Sequence, residues 1–141
     1  MDAFDADVLI YASIPGHPLG RRVAALFSAV LVGSGGRRAG VGSALLLPEL
    51  LSKPLRDEDT AAVTALSAFL ARLDLHPADQ AVTARAAVLG AQYKLRAPDA
   101  THLATAIRMG AHRFITNNSR DFGKSITEIE ITYPADLPDP G

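Results

Sequence analysis

Two aspartates two residues apart open the chain, in Ala3-Phe4-Asp5-Ala6-Asp7-Val8-Leu9-Ile10-Tyr11-Ala12. They fall where a very short apolar strand gives way to an apolar helix. Open α/β sheets place their sites at the C-terminal ends of strands. Two carboxylates in a partly dry cleft repel, at a cost of ~4 kcal/mol for a separation of about 4 Å and an effective dielectric of about 20. A divalent cation is the common way of offsetting that repulsion.

More carboxylates come from distant segments. Glu49 stands among Leu45, Leu46, Leu47, Leu50 and Leu51. An unpaired charge is costly to bury there, so Glu49 must face either solvent or a charged site. Asp99 opens a helix in Arg96-Ala97-Pro98-Asp99-Ala100-Thr101-His102-Leu103-Ala104, where the helix dipole keeps it ionised. A polar cluster, Thr116-Asn117-Asn118-Ser119-Arg120-Asp121, follows another strand. Oxygen donors in a chain with 0 cysteines suit Mg²⁺ or Mn²⁺ rather than structural zinc. Such an ion can orient a water and stabilise the leaving oxygen in phosphodiester cleavage. Each acid also has a plain reading, Asp7 and Asp99 as helix caps and Glu49 as a surface residue. One shared site accounts for all of them together.

The elements that must position these groups follow from periodicity and breakers. Strands are expected at 3–5, 39–44, 73–76, 113–116 and 126–133. Helices are expected at 7–13, 18–32, 45–53 (stopped by Pro54), 59–73, 78–93 and 99–109, with a loop at 33–38. Strands alternating with helices predict a mostly parallel sheet covered on both faces. The 141 residues suffice for one domain, expected over 1–133 with a frayed tail at 134–141.

Composition narrows the class. With 48% hydrophobic and 21% charged residues the chain is globular rather than disordered. A net charge of −1 excludes a protein that coats nucleic acid by bulk charge. Residues 1–15 show no basic start with a long apolar run. The longest apolar-rich stretch, 23–32, falls short of the ~20 residues that span a bilayer. A cytoplasmic location is the expectation.

The motifs resemble those of the PIN-domain nucleases, especially the VapC-type toxins of toxin–antitoxin pairs. Phe4-Asp5-Ala6-Asp7-Val8-Leu9 is similar to that family's opening strand, acid and helix. Leu47-Pro48-Glu49-Leu50-Leu51 resembles its second-acid helix, and Asp99-Ala100-Thr101-His102-Leu103-Ala104-Thr105-Ala106 its third. Phe114-Ile115-Thr116-Asn117-Asn118 to Asp121-Phe122 resembles its Thr-Asn-Asp…Phe segment. The resemblance implies a three-layer α/β/α sandwich and Mg²⁺- or Mn²⁺-dependent RNA cleavage. It implies Asp5, Glu49 and Asp99 as metal-site acids, with Asp7 and Thr116 ordering the surrounding shell. It also implies an antitoxin partner and a homodimer. The family's fourth acid falls on Asn118, which is neutral; its amide oxygen can still accept a hydrogen bond or hold a metal weakly. Asp121 takes over only if the loop folds back.

Weaker signals and rival readings complete the picture. Gly40-Val41-Gly42-Ser43 lacks the third glycine and the lysine of a phosphate loop and reads as a strand edge. Arg37, Arg38, Lys94, Arg96, Arg120 and Lys124 are candidate rim residues for RNA phosphates, with Arg120 foremost. The four histidines show no ligand spacing, and His102 reads as a surface or packing residue near Asp99. Asp5-Ala6-Asp7 also resembles the start of the haloacid-dehalogenase-like phosphohydrolases, with Asp5 as nucleophile and Ser43 in the second motif. Against this, Val8-Leu9 replaces their Gly/Thr turn and no late Asp-Asp pair occurs. The third reading is a PIN-like module that has lost efficient catalysis with Asn118 and binds RNA or a protein.

Overall fold

The computed structural model describes residues 1–31 and 38–141; the expected loop at 33–38 lies, but for Arg38, outside them. The order of elements is β1 (Asp2–Phe4), α1 (Ala6–Ser13), α2 (Pro18–Leu31), β2 (Gly40–Ser43), α3 (Leu46–Arg56), α4 (Thr60–Leu70), β3 (Leu73–His76), α5 (Gln80–Tyr93), α6 (Ala97–Arg108), β4 (Arg113–Ile115) and β5 (Glu130–Thr132). The five strands form one sheet in the order β3-β2-β1-β4-β5. Every pairing is parallel, as expected when helical crossovers join the strands. The fold is a three-layer α/β/α sandwich.

Alternation along the strands divides the interior into two cores. Ala3, Val41, Phe114 and Ile131 face α5 and α6, packing with Val82, Leu89, Leu95, Ala100 and Leu103. Phe4, Leu73 and Ile115 face the other way, onto Val8, Leu9, Val23, Phe27, Leu46, Leu50, Leu66 and Leu70 from α1 to α4. The chain builds outward from β1 through β2 to β3, then crosses back to β4 on the other side of β1. That reversal makes the gap beyond the C-terminal ends of β1 and β4 the topological switch point, where doubly wound sheets hold ligands. Phe4 and Ile115 lie opposite one another there.

Several boundaries differ from the sequence-based expectation. Pro54 does not stop α3, which runs to Arg56. It sits in the last turn, where its missing N–H forfeits a single bond, and Asp57 N–H to Lys53 O at 2.9 Å closes the helix. Helix α6 starts at Ala97 rather than Asp99, with Pro98 in its first turn, where no N–H is needed. Strand β5 pairs only over Glu130–Thr132. Ile126 and Ile129 are buried ahead of it as irregular chain. The expected frayed tail begins with a 3-10 turn at Pro134–Asp136 and seats Leu137, 2% exposed, in the core on the α1–α4 side. Arg22 Nη1 donates to Leu137 O at 2.8 Å.

Candidate active site

Asp5 is the first residue past β1, and its N–H donates to Ile115 O at 2.9 Å, which ties it to the end of β4. The residue is 6% exposed and both carboxylate oxygens are engaged. Oδ1 accepts from Ala6 N–H and Oδ2 from the Thr116 hydroxyl, each at 2.8 Å. Thr116 Oγ1 accepts in turn from Asn118 N–H at 3.1 Å. Asp5 is thereby the N-cap of α1, the local job that the sequence suggested for Asp7. Asp7 instead reaches across the switch point, where its Oδ2 accepts from Asn117 N–H at 3.0 Å. Its Oδ1 is buried without a partner.

Asp99 lies in the first turn of α6, whose N-cap is Arg96, so capping is not its role. Its Oδ2 is buried with no hydrogen bond; Arg96 Nε stands 3.7 Å away, beyond hydrogen-bond reach. Glu49, in the first turn of α3, lies at the rim with its Oε1 3.0 Å from His102 Nε2. Within the loop after β4, Asn118 Nδ2 donates to Asp121 Oδ2 at 2.9 Å, and Asp121 N–H to Asn118 Oδ1 at 3.3 Å.

Several of these residues are coupled through their charges. Burial pushes the Asp5 carboxyl above its ordinary range, opposed by the field of His102 and the Thr116 and Ala6 bonds, while Asp99 pushes it further up. Burial, then the charge of Asp5, raises Asp7 to about 7. Burial also raises Asp99; Arg96 and His102 oppose this, whereas Asp121 and Glu49 add to it. Burial disfavours a charged His102, yet the Glu49 hydrogen bond and the fields of Asp5, Glu49 and Asp99 outweigh it and raise its pKa. Acids from β1–α1, α3, α6 and the β4 loop therefore share a field, and an added cation would relieve it.

Among the described residues no three His, Cys, Asp or Glu side chains form a ready-made metal cluster. The donor chemistry nevertheless fits a hard cation. Mg²⁺ keeps several waters and takes only one or two direct carboxylates, and Asp7 Oδ1 and Asp99 Oδ2 are buried oxygens without a hydrogen-bond partner.

The other candidates separate. Arg96 and the strongly exposed Arg120, 4.0 Å from Asp121, flank the acids. Arg38 lies before β2, at the opposite end of the sheet, bonded to Ala71 O. Lys124 pairs with Asp136, Lys94 is the exposed C-cap of α5, and Arg37 lies outside the described residues. Ser43 is buried in β2 and its Oγ accepts from Leu45 N–H. The residue that the sequence undervalued is His102, whose side chain is 1% exposed. The signal was its position three residues after Asp99, on the same helical face.

A family model described as PIN domain matches residues 3–124. The chain belongs to the PIN domain family. Members of this family are nucleases acting on nucleic acid. Two solved structures are similar to this PIN domain across nearly its whole length. One is a toxin–antitoxin complex from Klebsiella pneumoniae, with TM-score 0.69 and 22% identity, covering 95% of this chain and 98% of that one. The other is VapBC2 from Rickettsia felis bound to a DNA fragment from their promoter, with TM-score 0.68, 17% identity, and 94% and 97% coverage. At these identities they share the fold. No curated protein matches the chain. Among the described residues of this PIN domain no helix is long and apolar enough to cross a membrane.

Proposed function

We propose that this PIN domain is a metal-dependent endoribonuclease, the toxin of a toxin–antitoxin pair, with Mg²⁺ or Mn²⁺ as its cofactor. The observation that supports the reading is the coupling of acids at the switch point, where the charge of Asp99 acts on Asp5 and Asp7 and that of Glu49 acts on Asp99, beside the buried, unpartnered oxygens of Asp7 and Asp99. The two structural neighbours described as toxin–antitoxin assemblies support the toxin role and a protein antitoxin as partner.

Asp5, Asp99 and Glu49 would hold the cation, directly or through its waters, with Asp121 as the fourth acid in place of Asn118. The cation supplies charge neutralisation and a more acidic water at the scissile phosphate. The chain's own residues do the rest. Thr116 and Ala6 fix the Asp5 carboxylate. Asp7 ties α1 to Asn117 and so holds the β4 loop against β1. Asn118 aims Asp121 back toward Asp99. Arg96 and Arg120 stand at the mouth, where guanidinium groups bind phosphate oxygens and place the strand without reading its sequence.

Asp5→Asn tests the reading. RNA cleavage and growth inhibition should fall by roughly 10²–10³-fold, the scale of losing one preorganised electrostatic group, while the protein remains folded. Undiminished cleavage by the variant would remove the catalytic role of the site. A phosphoaspartate trapped at Asp5 would instead favour the phosphohydrolase reading.

A further inference from the structure

We infer that His102 is the positioning residue for Glu49, so that α6 sets two of the site's acids at once. The inference rests on the metal-nuclease reading above and concerns how its third acid is held.

The three acids are not held alike. Asp5 is locked by two hydrogen bonds. Asp99 has a short side chain in the first turn of a helix packed on the sheet. Glu49 has a longer side chain, side-chain exposure of 33% and a position at the rim. Ordering such a long side chain costs rotamer entropy, so holding Glu49 at a fixed position needs a restraint. The hydrogen bond that restrains it runs from His102 Nε2 to Oε1 at 3.0 Å.

His102 suits that task. Its side chain is almost wholly enclosed, at 1% exposure. One turn of α6 separates it from Asp99, so the two side chains move with one rigid element. A single helix then places Asp99 by its backbone and Glu49 through the imidazole. The bond links α6 on one face of the sheet to α3 on the other, around the C-terminal end of β2. Outer partners of this kind orient ligands to a metal, and losing one typically costs 10- to 100-fold in metal affinity.

The experiment is a Mn²⁺ titration by calorimetry on the full chain, with metal-free thermal melts to verify folding. His102→Gln places an amide N–H near the position of Nε2 and should keep Mn²⁺ affinity within about threefold. His102→Asn is equally polar but too short to reach Glu49, and should lose roughly 10- to 100-fold. In a Glu49→Gln background, itself weakened, both His102 variants should have no further effect. Equal affinities for the Gln and Asn variants, or an undiminished loss in the Glu49→Gln background, would overturn the role of His102. If Glu49→Gln weakens Mn²⁺ binding and His102→Asn does not, His102 is excluded while the nuclease reading stands. If Glu49→Gln leaves binding unchanged, the third acid and its positioning residue both fall.

Discussion

Asn118 is the neutral residue where the sequence resemblance implies an acid, and its hydrogen bonds show what the amide does. A carboxylate at 118 could accept from Asp121 N–H, as the amide oxygen does, but it could not donate to Asp121 Oδ2. The amide does so at 2.9 Å. Asn118→Asp therefore replaces a donor with a like charge beside Asp121, and leaving that group unpaired costs about 1–3 kcal/mol. The expected outcome has two parts. Without metal the variant melts lower than the parent. With saturating Mn²⁺ its melting temperature rises by more than the parent's, because the added charge lies within the cation's field. Equal Mn²⁺-induced shifts would place position 118 outside that field. The positions of Asp5 at the end of β1 and of Glu49 and Asp99 in first helical turns were legible in the sequence from apolar periodicity and breakers. His102 was not. A histidine inside an alanine- and leucine-rich helix reads as packing, and its partner lies 53 residues away.

At the scale of elements, short strands were legible where breakers bound them. Leu73–His76 is a strand at its expected bounds, since it follows a helix and ends at a proline. Ile126 to Tyr133 looked equally strand-like, yet only three of its residues pair. Alternating apolar residues are needed on any segment that crosses a core edge, whether or not a neighbour offers hydrogen bonds, so the pattern overstates the strand. The C-terminal segment shows the reverse error. Prolines and a final glycine suggested fraying, and a single leucine outweighs them by filling a seat beside α2. Leu137→Ala should cost about 2–4 kcal/mol through lost burial and the cavity left behind, read as a lower urea midpoint at unchanged m-value. Cleavage per folded molecule should not change, because Leu137 lies outside the acid cluster. A cost below ~0.5 kcal/mol would show that the segment is only laid on the surface.

Across the whole molecule, the doubly wound order brings Asp5, Asp7 and Asp99 within reach of one another's charge, and that concentration of charge should be visible in stability. Asp5 and Asp99 are raised above 3.8 and Asp7 to about 7. The native state therefore binds more protons than the unfolded chain from pH ~4 to ~7, and stability must fall as pH rises through that window. His102 is raised above 6.5; its contribution is present below that value and is lost above it, so it works in the same direction. The groups whose pKa is lowered, Asp79, Glu128 and Asp136, lose their contribution only as pH drops below the ordinary carboxylate range. They do not oppose the trend near neutrality. In chelator, the protein should be more stable at pH 5 than at pH 8. Asp7 alone accounts for on the order of 2 kcal/mol of this, the ~1.4 kcal/mol per pKa unit being discounted for partial exposure. Saturating Mn²⁺ should flatten the profile, since a bound cation takes over the neutralisation that protons provide. Asp7→Asn retains an oxygen acceptor for Asn117 N–H, carries no charge, and should flatten the chelator profile on its own. Melting curves from pH 5 to 8, with and without Mn²⁺, measure this. A metal-free stability that rises toward pH 8 would mean that the carboxylates are not forced together, and the account of the switch point as a strained acidic site would fail.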